Sequence, residues 1–306
     1  MSGSKQLYKL LMSSATLLKK TWCLIKFLHY PLDFQLKHIR MASKSAELYG
    51  NFHAKTDIYK GLTIETQNLS LSDEDFENNL KNSLMDWIKT GIRGVWFKVN
   101  IANSSYVPIL VKHGFLFHHA KTSYVMLTRW LPADEPNLLP QYPYTHIGVG
   151  GMVINDKNQV LTIQEKYHQT PHWKLPGGYS NPGEDFGDTA RREVFEETGI
   201  ESKFVSVVAL RHHHKHIFSC SDIYIVCHLK PVNETITKSN EEIAKCEWMD
   251  IETYRNHPKV TEFNRFIMDA FLESQRLKTS IVASSVLSFR KDCYNKVYHV
   301  QSTNDS

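Results

Sequence analysis

The sequence predicts an α/β protein, a mixed β-sheet sandwiched between helical layers, preceded by a smaller α+β unit. Three observations predict it. From Thr145 to Gln275, strand-like and helical periods alternate without the regular repeat of a doubly wound sheet. A shorter alternation of the same kind fills Phe76 to Trp130. Between them runs Leu131-Pro-Ala-Asp-Glu-Pro-Asn-Leu-Leu-Pro140, whose prolines remove amide donors and resist regular structure. A chain of 306 residues is long enough for two ordinary domains. The expected division is a basic extension over 1–46, a small α+β domain over 47–130, a linker over 131–143, a main domain over 144–278 and an extension over 279–306.

Charge is unevenly distributed. Residues 1–46 carry Lys5, Lys9, Lys19, Lys20, Lys26, Lys37, Arg40 and Lys44 against Asp33 alone, a net +7. The whole chain is only +4, so everything after that segment sums to −3. The folded part therefore lacks the concentrated positive field of a protein that grips nucleic acid backbones, and no stable nucleic acid binding is expected. The basic segment, with Leu7, Leu10, Leu11, Leu17 and Leu18 able to share one side of a helix, is compatible with mitochondrial import. It is equally compatible with a basic tail on a cytoplasmic protein, with the nucleus also open. No apolar run approaches the roughly 20 residues of a membrane span. The five cysteines are scattered and contain no CxxC pair, so free thiols and no zinc framework are expected.

In the first domain, Phe76, Leu80, Leu84 and Trp87 or Ile88 make one stripe of a helix opened by Ser72 or Asp73. Gly94 to Val99 alternates as a strand. Asn103 to His113 reads as a short helix stopped by Gly114, and strand-like segments follow at Phe115 to His119 and Tyr124 to Trp130. In the second, Thr145 to Ile154 and Gln159 to Glu165 flank Asn155-Asp-Lys-Asn158, which predicts a hairpin opening a β-meander. A helix is predicted over Phe186 to Thr198. Strands follow at Phe204 to Arg211, Ile223 to Leu229 and Cys246 to Met249, then a helix from Val260 to Gln275. Residues after Lys278 are polar and give no clear period.

The chemistry concentrates on the helix after Asp185. Asp185 is a candidate cap, Asp188 suits the positive end of the dipole, and Gly199 supplies a left-handed stop. Glu193, Glu196 and Glu197 stand at i, i+3 and i+4, an arc of roughly 100°. Like charges so spaced repel, and a hard divalent cation offsets that repulsion because Mg2+ favours carboxylate and carbonyl oxygens. On an arbitrary helix three such glutamates would be a solvated acidic face. Here a Pro-Gly-Gly turn at Pro176 to Gly178 allows close backbone approach to a ligand, and Arg192 can steady the acids through charge-assisted hydrogen bonds.

Together these residues spell Gly178-x5-Glu184-x7-Arg192-Glu193-Val194-x-Glu196-Glu197-x-Gly199-Ile200. Seven fixed positions would coincide by chance on the order of once in 10^8 windows. The pattern resembles the signature of the Nudix hydrolases in full. That resemblance implies a Nudix α/β/α sandwich with Mg2+ or Mn2+ as cofactor and a nucleoside diphosphate derivative as the small-molecule substrate. It implies Glu196 and Glu197 as chief metal ligands, Glu193 as a further ligand or base, Gly177 as a carbonyl ligand and Arg192 as the residue that orients the glutamates. Glu184 takes an auxiliary place. The catalytic base often lies outside the signature in this family, and Glu242, or Glu241, before Trp248 suits that role; an exposed acidic loop is the plain alternative.

Resemblance extends beyond the signature through Gly94-Val-Trp-Phe-Lys98, His113-Gly-Phe-Leu-Phe-His-His-Ala120, Trp173-Lys-Leu-Pro-Gly-Gly178, Ser221-Asp-Ile-Tyr224 and Cys246-Glu-Trp-Met-Asp250. These look like the motif-six type, also called the fibroblast growth factor antisense type, and related plant Nudix hydrolases. This likeness runs from about residue 48 onward and implies that the leading unit is a pre-Nudix domain shaped like a GNAT acetyltransferase. No glycine-rich pyrophosphate loop lies between Gly91 and Pro108, so an acetyl-CoA site is not implied. Plant members suggest ADP-ribose-like or NADH-like substrates, although Lys215 stands where many ADP-ribose members carry proline. Arg211-His-His-His-Lys-His216 reads as a loop at the rim of the site, with Arg211 and His214 as candidate phosphate contacts. Trp173 suits either base stacking or the sheet core. A homo-oligomer is compatible with the sequence, and a nucleotide-sensing regulatory protein with little turnover is the alternative to an enzyme.

Overall fold

In the computed structural model, residues 46–289 and 293–302 are described. Residues 1–45 of the basic extension, read as either an import signal or a basic tail, lie outside them. The chain divides after Tyr142 into two compact units.

The first unit is α+β. Its strands are β1 (Glu47–Tyr49), β2 (Phe52–Thr56), β3 (Leu62–Glu65), β4 (Gly94–Asn100), β5 (Leu116–Lys121) and β6 (Tyr124–Trp130), ordered β1-β2-β3-β4-β6-β5. Helix α1 (Asp73–Lys89) crosses between the parallel strands β3 and β4; α2 (Tyr106–Lys112) follows β4. Ser72 caps α1 by accepting from the Asp75 amide, and Phe76, Leu80, Leu84 and Trp87 form its buried stripe, as the period predicts. Phe76 stacks on Tyr106 at 4.0 Å and meets Phe52 and Phe97 edge-on, so the core is largely aromatic. The proline-rich linker is fastened to this unit. The Leu131 amide donates to Arg93, Arg93 pairs with Glu135, and His118 bonds the Pro140 carbonyl.

The second unit holds β7 (Thr145–Val153), β8 (Gln159–Glu165), β9 (Gly177–Tyr179), α3 (Phe186–Thr198), β10 (Ser202–His213), β11 (Ser221–Pro231), β12 (Ile243–Asp250), α4 (Ile251–Asn256), α5 (Glu262–Arg276), β13 (Thr279–Leu287) and β14 (Tyr294–Ser302). The main sheet is ordered β14-β13-β10-β11-β7-β9 and is mixed, with β11 and β7 parallel and the other pairs antiparallel. Alternation sorts its two faces. Val149, Val153, Ile225 and Cys227 pack with Ala190 and Val194 of α3, while Met152 and Val226 pack with Ile267, Met268 and Phe271 of α5. The result is an α/β/α sandwich.

Two expectations change here. The Asn155–Asn158 turn forms, with Asn155 Oδ1 accepting from the Lys157 and Gln159 amides and Asn158 at φ 60°. It does not open a meander, because β8 meets β7 only at the Ile154–Val160 bridge and pairs with β12 in a separate two-stranded sheet. β7 already has β11 and β9 as neighbours and no free edge for β8. The segment after Lys278 also has regular structure. β13 and β14 form a hairpin that joins the main sheet through Val207 and Ile281. Its alternation is weak because most of β14 is exposed, so no buried face imposes a period on the sequence.

Candidate active site

Helix α3 lies close against β7 because Gly151 has no side chain. A Cβ there would fall 2.4 Å from Val194 Cγ2. The helix ends at Gly199 with φ 71°, whose amide returns to the Phe195 carbonyl. At its start the expected cap differs. Asp185 occupies the N-cap position, but its side chain makes no capping bond; its carbonyl accepts from the Asp188 and Thr189 amides instead. Glu184, one residue earlier, takes the polar role by accepting from Thr189 Oγ1 and the Asn181 amide.

Arg192 is the hub of the acids. Its Nε and Nη2 donate to the two oxygens of Glu184 at 2.8 and 2.9 Å, Nη1 donates to Glu193 at 2.7 Å and Glu196 at 3.2 Å, and Nη2 also reaches the Tyr179 carbonyl at 3.0 Å. This ties the helix to β9. The guanidinium holds the Glu184 carboxyl well below the usual carboxylate range.

Glu197 has another environment. It is 6% exposed and accepts the Gly177 amide at 2.9 Å. Burial pushes its carboxyl up to about 7, against the pull of Lys174 and that amide; the Glu193 and Glu165 charges push in the same direction as burial. Burial also raises Glu193, with Glu196 and Glu242 adding to it. Glu242 is exposed beside the end of β8, where its carbonyl accepts from the Lys166 amide. The Pro-Gly-Gly turn is tight for a reason visible at Gly178, where a Cβ would lie 2.6 Å from the Glu193 carboxylate. Glu193, Glu196, Glu197, Arg192 and Gly177 are thus gathered around one turn, with Glu242 near enough for its charge to act on Glu193.

The carboxylates do not close into one ligand cluster among the described residues. Glu193 and Glu196 lean on Arg192 while Glu197 faces the Gly177 amide, which keeps the like charges apart. The residues still fit a hard divalent cation. Mg2+ is commonly held by one or two carboxylates plus waters, and Glu197 is a buried carboxylate that accepts its hydrogen bond from a neutral amide.

The other predicted residues fall on β10 and the turn beyond it. Arg211 donates to the buried Asp222 at 2.6 Å, with its guanidinium 5.4 Å from the Tyr224 ring centre and 5.1 Å from that of Phe263. His214 is exposed and bonds Ser221 at 3.0 Å. Trp173 belongs to the core at 5% exposure. Sequence reasoning missed Lys174, paired with Glu165 and acting electrostatically on Glu197. It also missed the partnership of Asp222 with Arg211. An acid alternating with apolar residues on a buried strand was the available signal for the latter.

Residues 144–271 match the NUDIX domain model, and 52–131 match that described as the Nudix hydrolase domain. Nucleoside diphosphate-linked moiety X motif 6 of Homo sapiens is 33% identical over 260 residues, covering 81% of this chain and 82% of that protein. The chain belongs to the Nudix hydrolase family. Nudix hydrolase 8 of Arabidopsis thaliana is 38% identical over 228 residues, covering 74% of this chain and 62% of that longer Nudix protein. Among solved structures, the MutT protein from Methanosarcina mazei Go1 is similar at 23% identity and a TM-score of 0.39, covering 45% of this chain and 99% of that one. Nudix hydrolases cleave nucleoside diphosphate-linked moieties, and this Nudix chain is read as an enzyme of that class.

Proposed function

We propose that the chain is a metal-dependent pyrophosphohydrolase of ADP-ribose-like or NADH-like nucleotides. The observation that carries this reading is the division of the acids. Arg192 fixes Glu184, Glu193 and Glu196, leaving Glu197 buried against the Gly177 amide at the Gly-Gly turn.

In this reading Glu197 and Glu196 would hold Mg2+ or Mn2+, with Glu193 and the Gly177 carbonyl as further donors. The ion would offset charge on the phosphate oxygens and leaving group. Arg192 keeps the carboxylates in register while water attacks one phosphorus and the bridging P–O bond breaks, the other phosphate leaving with that oxygen, so no covalent intermediate is needed. Glu242 takes the proton from the attacking water, in keeping with its exposure and with the effect of its charge on Glu193. Arg211 and His214 meet the phosphates at the rim. The basic segment 1–46 supports mitochondrial import or cytoplasmic residence, which a fluorescent fusion with and without it separates.

The test is a nucleotide panel assayed with Mg2+ and with Mn2+, beside Glu197→Gln. Metal-dependent cleavage of ADP-ribose or NADH, lost in the variant, is expected. No turnover on any member, or full turnover in Glu197→Gln, overturns the reading.

A further inference from the structure

Ser221-Asp-Ile-Tyr224 stands out in the sequence, and its tyrosine hydroxyl has no part in the acid cluster around Arg192. The register of the main sheet places it. Arg211 on β10 pairs with Tyr224 on β11, Tyr224 pairs with Gly148 on β7, and Gly148 pairs with Tyr179 on β9. These positions form one row, so their side-chain directions share a face. β7 carries glycine at 148 and again at 150, leaving that face bare where Tyr224 arrives.

The ring fills the space. A Cβ at Gly148 would lie 3.2 Å from Tyr224 Cδ2, and one at Gly150 only 2.0 Å from Tyr224 Oη. The ring therefore lies across β7 with its hydroxyl at Gly150. Gly150 pairs with Gly177, whose amide holds Glu197. The hydroxyl thus sits about one strand spacing, ~5 Å, from the turn that carries the acids. The Arg211 guanidinium and Phe263 lie against the ring, and buried Asp222 anchors Arg211. Tyr224 Oη has no hydrogen-bond partner among the described residues, and the residue is half-buried rather than fully enclosed. A half-buried phenol with a fixed ring and an unused donor is prepared for an acceptor that arrives from outside.

We propose that Tyr224 is a substrate-contacting residue whose Oη–H donates to an oxygen of the bound diphosphate, with Gly148 and Gly150 serving to admit its ring. This rests on the pyrophosphohydrolase reading for the nature of the ligand. Burial, reinforced by the Glu197 charge, pushes the phenol above its ordinary range, so it remains a donor at neutral pH. Phosphate oxygens are the acceptors that a neutral donor beside a carboxylate site can serve without adding charge.

The test compares wild type, Tyr224→Phe and Gly150→Ala in the full chain. Tyr224→Phe keeps the ring and removes only the donor. Calorimetric affinity for ADP with Mg2+ should fall about 10-fold to 100-fold in Tyr224→Phe, the usual effect of losing a hydrogen bond to a charged group. Its thermal midpoint should remain that of wild type. Affinity for adenosine, which has no phosphate, should not change between the two proteins. Gly150→Ala should weaken ADP similarly, because it displaces the hydroxyl. ADP affinity equal to wild type in Tyr224→Phe overturns the proposal, as does an equal loss for adenosine. If wild type binds ADP through Tyr224 but cleaves no member of the nucleotide panel, the contact stands and the hydrolytic reading falls.

Discussion

Arg192 grips Glu184 through two parallel hydrogen bonds, Nε to Oε1 at 2.8 Å and Nη2 to Oε2 at 2.9 Å, and this fork aims Nη1 at Glu193 and Glu196. Only a planar guanidinium makes that set of bonds; an ammonium carries the charge without the fork. Arg192→Lys should therefore leave the fold intact and lower kcat by about 10-fold to 100-fold, the scale of losing a group that orients metal ligands. Steady-state kinetics beside circular dichroism checks it. Wild-type kcat in Arg192→Lys would show that charge alone suffices.

Glu197→Gln separates stability from function. The amide oxygen can still accept from Gly177, while the cost of a carboxylate at 6% exposure disappears. The variant should melt at or above the wild-type temperature and lose turnover by on the order of 10^2-fold or more. A thermal melt paired with an activity assay tests both halves. A lower melting temperature would mean that the charge stabilises the fold.

Gly178→Ala tests the tightness of the turn. The new methyl group would meet the Glu193 carboxylate at 2.6 Å, so the carboxylate must leave the position in which it accepts from Arg192. Turnover should fall by about 10-fold or more, as small displacements in catalytic geometry commonly cost. The double variant Gly178→Ala with Glu193→Asp should recover part of the loss if collision is the cause, because the shorter acid withdraws. Kinetics of the two variants decide between collision and a general loss of order.

His228 on β11 gives a pH dependence of stability. Its ring packs on Phe271 at 4.8 Å, Nδ1 has no partner, and burial pushes its pKa down from 6.5 to about 4. The unfolded chain takes up a proton between those values that the folded chain refuses. Stability is full above pH 6.5 and is lost as pH falls through the window toward 4. Urea unfolding at pH 7 and pH 5 should show the wild type losing about 2 kcal/mol more than His228→Leu over that interval. Equal losses in the two proteins would mean that His228 is already charged when folded.

The sequence by itself determined the helix of the site and its chemistry, because its information is local. Glutamates at i, i+3 and i+4, arginine beside them and glycine at the stop follow from the 3.6-residue period and from the one residue type that accepts a left-handed turn easily. The aromatic stripe of α1 was legible for the same reason. Tertiary structure decided what depends on residues distant along the chain. The Asn155–Asn158 turn formed as read, but the partner of β8 is β12, some eighty residues on, a choice among edges that no short window contains. The difference between Glu197, buried on the Gly177 amide, and Glu196, the residue before it and on the open side of Arg192, is likewise a matter of which neighbour excludes water. Tyr224 acquires its place only because β11 lies parallel beside β7, where two glycines leave room for its ring.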